Sequence, residues 1–398
     1  MILHFHFSSN PNSGEIRRIR NINSEICNVI NTKCIEVEFY SLRDRKLVNK
    51  EWRFTLTENV VRKFYVPLIP FSGNSRVIQW LCDWWTSVII LLISVRYRFD
   101  FIVGEYSTSY RAMKAKCLLR SKYIADMHGA LPEEYSYNNP QIIKWRLKYI
   151  TRLEALTSRH ADAIICQSEE MKRHIVNKYN ADSKKIFVYK CGVNPDLFRL
   201  EPDKKNVVRK QLNIPEDSFV FVYAGGLMKW QKIEESLKIF SQAHEILPSC
   251  KFMILTREVD KVGFIVAQLN LTYLLQDIVA LSSPFDKVSD YLNAADAAFL
   301  LRDNEVMNRV ASPTKLAEYL ACGLPVISSN VAICWVEQQM IDDCSIYCYK
   351  DDTNLGVLLE TFRNCDRERI RQHAIASFSL KIDSLNIDRM YKYIQEIM

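Results

Sequence analysis

A lysine and a glutamate three residues apart, at the start of a predicted short helix, could together hold a nucleoside diphosphate. The segment reads SPTKLAEYLACGLPVI and begins at Ser312. Ser312 is a residue type that caps helices, Pro313 suits the first helical position, and Gly323 is expected to end the helix. Lys315 and Glu318 then share a face of the first turn, where the helix N-terminus and the lysine favour an anion and the carboxylate can accept two ribose hydroxyls. The alternative is an ordinary helix–strand unit with a surface Lys–Glu pair.

Paired glycines followed by lysines form a second candidate anion site. Gly225 and Gly226 come directly after a predicted strand, and Lys229 and Lys232 follow where a helix should begin. Backbone amides beside an ammonium group can grip a diphosphate, although ordinary turns also use Gly-Gly steps. Gly14 lies between the first predicted strand and its helix, where it would let a ligand approach the backbone closely. A plain turn is the alternative there.

Polar side chains also follow a predicted strand in the first half of the chain. His128 ends that strand, where it could donate to a sugar hydroxyl or orient an acceptor, and a structural histidine is the alternative. Glu133 and Glu134 follow on the same predicted loop as candidate acceptor ligands or bases. His4 and His6 share one face of the first strand, but no further ligands are evident, so no metal site is predicted.

Strand and helix signals alternate along the whole chain, which predicts an α/β protein with parallel sheets. Turn residues and charges after residue 191 suggest a domain boundary. We therefore expect a first domain at 1–195, completed by a closing helix at 378–398, then a linker at 196–206 and a second domain at 207–377.

Composition limits the classes of protein to which the chain could belong. It has 398 residues, 48% of them hydrophobic and 25% charged, with a net charge of +7. The excess base could serve an anionic substrate, a membrane surface or nucleic acid, but no Lys/Arg run or zinc-finger spacing points to nucleic acid. The twelve cysteines include no CxxC pair, so reduced thiols and a cytosolic protein are expected. The absence of GxGxxG after the first strand disfavours a hydride-transfer enzyme, and neither a Walker lysine loop nor a Ser-His-Asp spacing is present.

The most hydrophobic run is found at residues 88–95. Charged residues bracket it and leave it shorter than the roughly 20 residues that span a bilayer, so we expect a buried helix. Trp80, Trp84 and Trp85 precede the run, and because tryptophans favour membrane interfaces, contact with a membrane surface is the alternative. The N-terminus lacks a basic segment followed by a long apolar run, so no signal peptide is expected.

The segment that begins at Ser312 resembles the donor-binding helix of retaining GT-B glycosyltransferases of the family 4 kind. It has the variant with Ser-Pro-Thr-Lys ahead of Glu-Tyr, and weaker similarity runs over nearly the whole chain. The resemblance implies an α/β GT-B fold with two Rossmann-like domains facing across a cleft, the second for a nucleotide-sugar donor and the first for an acceptor. Two positions depart from the family pattern. Val310 stands where many relatives have a second glutamate, and Gly226 stands where they have a phosphate-binding arginine.

The residues and the resemblance together give a predicted site. His128, Glu318 and Lys315 are the expected catalytic residues, and Glu133 and Glu134 lie on the acceptor side. The expected donor-binding residues are Gly14, Gly225, Gly226, Lys229, Lys232, Arg309, Ser312, Pro313, Thr314 and Leu316. No metal and no cofactor are expected, because the cations would replace a divalent ion in stabilising the departing diphosphate.

The expected activity is retaining transfer of a hexosyl or related sugar to a lipid-linked or oligosaccharide acceptor, in the synthesis of a surface polysaccharide such as lipopolysaccharide or capsule. The expected location is the cytoplasm, with peripheral contact to the inner face of the plasma membrane. Arg17, Arg18, Arg20, the basic helix at 144–152 and the tryptophans could provide that contact. Two alternatives remain: a nucleotide-sugar epimerase of the same fold, and a non-catalytic subunit of an assembly complex.

Overall fold

The chain divides into two compact units. The computed structural model describes residues 1–7, 14–41, 59–68 and 75–397. One unit is formed by Met1–Lys190 together with Asp383–Met398, and the other by Cys191–Ile382. The second unit thus begins ahead of the predicted linker at 196–206. The end of that predicted linker is helical, because Pro202 is tolerated in the first turn of a helix, where its missing N–H is not needed.

The first unit is built on a seven-stranded sheet, and every strand pairing in its described residues is parallel. Its strands are β1 Ile2–Phe7, β2 Cys34–Ser41, β3 Val60–Leu68, β4 Phe101–Glu105, β5 Lys122–Met127, β6 Ala163–Cys166 and β7 Ile186–Val188. They lie in the order β3-β2-β1-β4-β5-β6-β7, so the direction of winding reverses between β1 and β4.

Helices connect these strands. They are α1 Gly14–Ile30, α2 Arg76–Ser94, α3 Ser109–Leu119, α4 Leu131–Asn138, α5 Lys144–His160 and α6 Glu169–Tyr179. Ser168 caps α6, because its Oγ accepts a hydrogen bond from the N–H of Met171 at 3.0 Å. The predicted loop glycine, Gly14, is the first residue of α1, and the loop at 8–13 lies outside the described residues.

The second unit has a six-stranded sheet whose pairings are also parallel. Its strands are β8 Val220–Ala224, β9 Lys251–Leu255, β10 Ile278–Leu281, β11 Ala297–Leu300, β12 Val326–Ser328 and β13 Ile346–Cys348. Their order is β10-β9-β8-β11-β12-β13, so the winding reverses between β8 and β11. Phe221 and Phe299 stack across these two central strands with ring centres 5.1 Å apart.

Nine helices belong to the described part of the second unit. They are α7 Pro202–Gln211, α8 Ile233–Ile246, α9 Val259–Gln268, α10 Val288–Ala294, α11 Val306–Arg309, α12 Thr314–Ala321, α13 Gln338–Asp342, α14 Leu355–Arg363 and α15 Arg367–Phe378. Gly323 follows α12 with a φ of +70°, and a Cβ there would lie 2.6 Å from the Arg367 carbonyl oxygen. Gly323 therefore ends the helix as predicted.

A final helix, α16 Leu380–Glu396, returns the chain to the first unit. Ile387, Met390 and Ile394 are buried in the same hydrophobic cluster as Ile2 and Val103. The end of the chain therefore completes the core of the unit with which the chain began.

Helix α2 corrects the expectation of a buried apolar helix. It is 19 residues long, and it is the one helix of the described residues that is long and apolar enough to cross a membrane. Trp80 and Leu92 are 64% and 63% exposed, and Val95 directly after the helix is 87% exposed, while Asp83 on the opposite face is buried. The sequence showed the hydrophobicity of this helix, but the prediction of its burial was wrong.

Candidate functional site

The carboxyl ends of β8 and β11 adjoin the point where the second sheet reverses its winding. β8 leads into Gly225 and Gly226, and β11 leads through Leu301 into Arg302. Ligands of parallel α/β sheets bind outside the carboxyl ends of the strands at such a point. The candidate site is therefore built at this edge, by the glycine loop, the residues after β11 and the start of α12.

Lys315 reaches from the first turn of α12 to the glycine loop. Its Nζ donates to Gln231 Oε1 at 2.8 Å and to the Tyr223 hydroxyl at 3.2 Å, and it lies 4.6 Å from the centre of the Tyr223 ring. Desolvation and then the positive charge of Arg302 lower the pKa of Lys315 well below its usual value, against the opposing carboxylate of Glu318. Lys315 is therefore not the surface partner of Glu318 that the simpler interpretation assumed.

Arg302 is a second cation at this edge, and the sequence analysis missed it. The residue is 5% exposed, its guanidinium lies 4.7 Å from the centre of the Trp230 ring, and Nη1 donates to the Leu301 carbonyl at 2.8 Å. Burial lowers the pKa of Arg302 to about 10, against the opposing effect of Tyr223 and Tyr319. An arginine directly behind a buried apolar strand is the signal that could have revealed it.

Lys315 and Arg302 form a concentrated positive charge. Among the described residues, no carboxylate makes an ion pair with either side chain, and only Glu318 offsets the charge of Lys315 from further away. Desolvated cations that lack a paired anion are unfavourable in a folded protein. The arrangement is therefore suited to an anionic ligand, and a diphosphate carries enough charge to neutralise both groups.

The start of α12 differs from the prediction. The helix begins at Thr314, so Pro313 precedes it instead of taking its first position. The Ser312 Oγ accepts a hydrogen bond from the N–H of Cys191 at 3.0 Å, so Ser312 fastens another segment and does not cap the helix. Leu316 is fully buried in the core, which corrects its predicted contact with a donor.

The remainder of α12 is held against the end of β8. The Tyr319 hydroxyl accepts a hydrogen bond from the N–H of Ala224 at 2.8 Å. Glu318, one turn beyond the first helical residue, is 9% exposed. Val310, which stands in place of the second glutamate of the family pattern, is buried. Glu318 is thus the carboxylate that α12 itself brings to this edge.

The other predicted donor-site cations are placed differently. Lys232 Nζ pairs with Asp303 at 2.8 Å and with Glu235 at 3.2 Å, and the hydrogen bond to Asp303 raises the pKa of Lys232. Its charge is therefore balanced by two carboxylates, and its role as a phosphate cation stays a prediction. Lys229 is exposed, and Arg309 Nη1 donates to the Asn304 carbonyl at 3.0 Å.

In the first unit, His128 follows β5 and lies beside a buried carboxylate. Its Nδ1 is 3.4 Å from Asp126 Oδ2, and its ring stacks on Tyr106 with centres 4.9 Å apart. Arg18 Nη1 donates to the same Asp126 oxygen at 2.5 Å. Although burial opposes it, Arg18 and His128 hold the pKa of Asp126 well below its usual range. Arg18 is therefore a buried partner of Asp126, which corrects its expected part in contact with a membrane surface.

The two acceptor-side glutamates lie in the first turn of α4, which corrects the prediction of a loop. Glu133 Oε1 accepts a hydrogen bond from Lys178 Nζ at 2.7 Å. Glu134 accepts one from the Tyr106 hydroxyl. A Cβ on Gly129 would lie 2.4 Å from Glu134 Oε1, so this glycine allows α4 to begin close to β5. Glu134 is therefore bonded to Tyr106, whose ring stacks on His128, whereas Glu133 is bonded to α6.

His4 and His6 are part of a buried ionic cluster. His4 Nε2 lies 2.6 Å from Glu105 Oε1, and His6 Nε2 lies 3.8 Å from Glu36 and 3.9 Å from Glu38. Burial favours neutral His4, but the Glu105 carboxylate outweighs it and raises the pKa of His4 to about 9. In the part of the chain that the structure describes, no group of three or more His, Cys, Asp or Glu could hold a metal ion.

Two protein-family models match consecutive parts of the chain. Residues 24–197 match Glycosyltransferase Family 4, and residues 204–342 match Glycosyl transferases group 1. The first match falls mainly on the first unit, and the second match lies within the second unit.

Solved structures share the architecture over nearly the entire chain. Sucrose-phosphate synthase from Thermosynechococcus elongatus superposes with a TM-score of 0.75 at 15% identity, covering 100% of this chain and 99% of that one. HepE of Anabaena, in complex with UDP, has a TM-score of 0.70 at 14% identity and covers 98% and 99%. WaaG, a glycosyltransferase involved in lipopolysaccharide biosynthesis, has a TM-score of 0.62 at 11% identity and covers 99% and 95%. At these identities the likeness establishes the fold.

Sequence relatives match shorter stretches. "Putative teichuronic acid biosynthesis glycosyltransferase TuaH" of Bacillus subtilis (strain 168) is 22% identical over 267 residues, which are 66% of this chain and 58% of that protein. D-inositol 3-phosphate glycosyltransferase of Thermobispora bispora is 24% identical over 180 residues, or 43% of this chain and 40% of that protein. The matched part thus spans between two fifths and three fifths of these relatives.

Two units in one chain, each built on a parallel sheet with interspersed helices, define a two-domain α/β protein. The chain belongs to the GT-B glycosyltransferases, with a Glycosyltransferase Family 4 domain followed by a Glycosyl transferases group 1 domain. The family and the two-domain α/β fold predicted from the sequence are confirmed.

Proposed function

We propose that this protein transfers a sugar from a nucleotide-sugar donor to a lipid-linked or oligosaccharide acceptor during synthesis of a surface polysaccharide. The observation that carries the proposal is the pair of desolvated cations, Lys315 and Arg302, beside Gly225. A donor diphosphate would supply the missing negative charge. HepE, which has the same fold, is solved in complex with UDP and with UDP-glucose, which supports a donor of this class.

The chemistry proposed for this edge is stabilisation of the leaving group. Negative charge develops on the diphosphate as its bond to the sugar breaks, and cations fixed in a poorly solvated site stabilise that charge strongly. Lys315 and Arg302 take the place of a divalent ion, so the proposed reaction needs no metal and no cofactor. Glu318 is proposed to accept hydrogen bonds from the donor. Retention of configuration and transfer of a hexosyl or related sugar are proposed from the family resemblance.

The acceptor is proposed to bind the first unit at His128. The ionised Asp126 carboxylate, held by Arg18, favours the tautomer of His128 that carries its proton on Nδ1, and Nε2 is then an acceptor for a hydroxyl proton. Glu134, joined to the stacked Tyr106, provides a carboxylate on the same ring system. The similarity to TuaH, a putative teichuronic acid biosynthesis glycosyltransferase, and to WaaG of lipopolysaccharide biosynthesis supports a surface-polysaccharide product.

The proposed location is the cytoplasm, with peripheral attachment to the inner face of the plasma membrane. A lipid-linked acceptor requires approach to a bilayer, and a net charge of +7 favours an anionic surface. The partners are therefore a nucleotide sugar, a lipid-linked or saccharide acceptor and the membrane surface, and no nucleic acid is proposed.

Calorimetric titration of the full chain tests the donor site. UDP, GDP, ADP and dTDP are titrated beside their nucleosides, into wild type and into Lys315→Met and Arg302→Met. Hydrogen bonds to charged groups contribute about 1.5–3 kcal/mol, so each substitution should lower the affinity for the preferred diphosphate by about tenfold or more. The affinity for the matching nucleoside should change little, because both cations are proposed to contact phosphate.

Lys210→Met is the matched control, since Lys210 is an exposed lysine at the end of α7. It should bind the diphosphate as wild type does. Absence of binding by every diphosphate, or unchanged affinity in both site variants, would refute the proposed function. Turnover of a nucleotide sugar without any acceptor would instead identify an epimerase or hydrolase.

A further inference from the structure

Helix α2 turns its large apolar side chains towards solvent. Trp80 and Leu92 are among the most exposed large side chains of the molecule, at 64% and 63%. They belong to a stripe that recurs every three or four residues, which places its members on one face of the helix. We call this the outer face, and its exposed members include Val77, Trp80, Leu81, Trp84, Leu91 and Leu92.

The opposite face of α2 packs against the first unit and buries Cys82, Ile90 and Ile93 together with the polar Asp83 and Thr86. Asp83 is 7% exposed and accepts hydrogen bonds from Gln79 Nε2 at 3.1 Å and from the Tyr149 hydroxyl of α5 at 3.2 Å. Lys114 Nζ of α3 lies 3.6 Å from the same carboxylate. These contacts fix the rotation of the helix about its axis. A soluble surface helix has a polar outer face, whereas α2 is apolar on its outer face as well as on its buried one.

Positive charge surrounds the outer face. Arg76 at the start of α2 and Arg96 and Arg98 after its end are all exposed. The Arg76 guanidinium lies 5.5 Å from the ring of Trp145 on α5, the helix that also carries exposed Lys144 and Lys148. Tryptophan and arginine beside an apolar stripe are typical of a helix at a membrane–water interface, where the rings sit at headgroup level.

The connections of α2 decide how it could meet a bilayer. It joins β3 to β4, and both strands lie in the same sheet. Its inner face is bonded to α3 and α5 through Asp83. Crossing a bilayer would break these bonds and separate the two strands from the helix, whereas lying flat on a bilayer disturbs none of them.

We propose that the outer face of α2 is a docking surface for the interface of an anionic lipid bilayer, in which the helix lies parallel to the membrane plane. The basic residues at its ends contact lipid phosphates, and the tryptophan and leucine side chains enter the headgroup and acyl boundary. The inference deepens the proposed function and rests on it for the lipid-linked acceptor. The docking surface itself does not depend on the proposed function. A second copy of the chain fits the face less well, because a two-fold pairing would bring the same arginines together.

Vesicle sedimentation of the full chain tests the proposal. Wild type is expected to pellet with phosphatidylglycerol-containing vesicles, to pellet much less with pure phosphatidylcholine, and to be extracted by alkaline carbonate, as an in-plane helix should be. The double variant Trp80→Glu/Leu92→Glu should lose at least about tenfold in partition, because charges replace two inserting apolar groups. Phe264→Glu/Val357→Glu is the matched control, since both residues are similarly exposed but lie in the second unit, and it should bind vesicles as wild type does.

Three results would overturn the proposal. Wild type could remain in the supernatant with anionic vesicles, or the α2 variant could pellet as wild type does. Light scattering could also show a dimer that only the α2 variant dissociates, which would make the outer face a contact between copies. Affinity for the nucleoside diphosphate is measured on the same samples and should be equal in all of them, so that failure of the membrane surface is distinguished from failure of the donor site.

Discussion

The ammonium group of Lys315 occupies the place where a side chain on Gly225 would begin. A Cβ at position 225 would lie 1.9 Å from Lys315 Nζ and 2.5 Å from Cε, and the φ of Gly225 is +152°, a value that L side chains rarely adopt. The N–H of Gly225 donates to the Leu255 carbonyl at 2.8 Å, which fixes the loop. The glycine thus makes room for the cation, and the position of one residue depends on the absence of a side chain on the other.

Gly225→Ala should therefore weaken binding of the nucleoside diphosphate by displacing Lys315. We expect a loss of about tenfold or more, comparable to loss of one charged hydrogen bond, with little change for the nucleoside. Gly226→Ala is the matched control, because the nearest atom to its Cβ would be a Glu258 oxygen at 3.7 Å. Titration calorimetry of both variants tests this prediction. Equal losses of affinity in the two would show that the loop as a whole is sensitive to substitution, without a special role for Lys315.

Binding of the diphosphate should take up a proton at Lys315 over the pH range in which this amine loses its proton in the free protein. The pKa of Lys315 is lowered in the free protein by desolvation and by Arg302, and a bound anion would raise it again. Affinity should then fall as pH rises through the lowered pKa of free Lys315. Calorimetry in buffers of different ionisation enthalpy measures the uptake directly, and Lys315→Met should abolish it. A proton count of zero in wild type would contradict this prediction.

His128→Ala should slow sugar transfer without changing affinity for the diphosphate. His128 lies in the first unit, whereas Lys315 and Arg302 lie in the second. A rate loss of about tenfold or more is expected if the imidazole takes part in proton transfer. Asp126→Asn should also shift the pH profile of the rate, because the carboxylate holds the His128 proton. Normal transfer by His128→Ala would leave the histidine a purely structural role.

The stability of the first unit should decline as pH rises from about 6.5 to about 9. The pKa of His4 is raised by Glu105 from 6.5 to about 9 in the folded state. The ion pair therefore stabilises the fold fully below the unfolded value and is lost as pH rises through the folded one. The contribution is on the order of a few kcal/mol.

Urea unfolding at a series of pH values tests this dependence. His4→Gln should be less stable than wild type at pH 6 and should approach it by pH 9 or above. His160→Gln, at an exposed histidine that ends α5, should keep the wild-type profile. A constant difference between His4→Gln and wild type over the whole range would show that His4 stays neutral.

The sequence predicted the fold where hydrophobic runs were continuous and failed where they alternated. β6, β8 and β11 are buried along nearly their whole length, so they are apolar throughout and easily recognised. β2 carries Glu36 and Glu38 between its apolar residues, and these glutamates pair with His6 and Lys63. Partners distant in sequence neutralise them, and no local pattern could reveal that compensation.

The site was predictable only in its short-range part. Lys315 and the glycine loop follow from local signals, namely a helix start and paired glycines. Arg302 belongs to no motif, and it contacts Trp230, which follows β8, because β11 lies beside β8 in the sheet. The pairing of Lys232 with Asp303 depends on the same neighbourhood. The prediction that helix α2 is buried failed for another reason. Hydropathy measures how apolar a helix is and does not tell which of its faces contacts the protein.

The return of helix α16 to the first unit imposes an order on biosynthesis. Residues Cys191–Ile382 form one uninterrupted segment, whereas the first unit needs Asp383–Met398 to bury Ile387, Met390 and Ile394. On the ribosome, the second unit can therefore finish folding before the first, although it is translated later. The first unit waits with an incomplete core, a period in which chaperones would have access to it. A designer who wants it alone must join Lys190 to Asp383 by a linker, while the second unit can be excised by simple truncation.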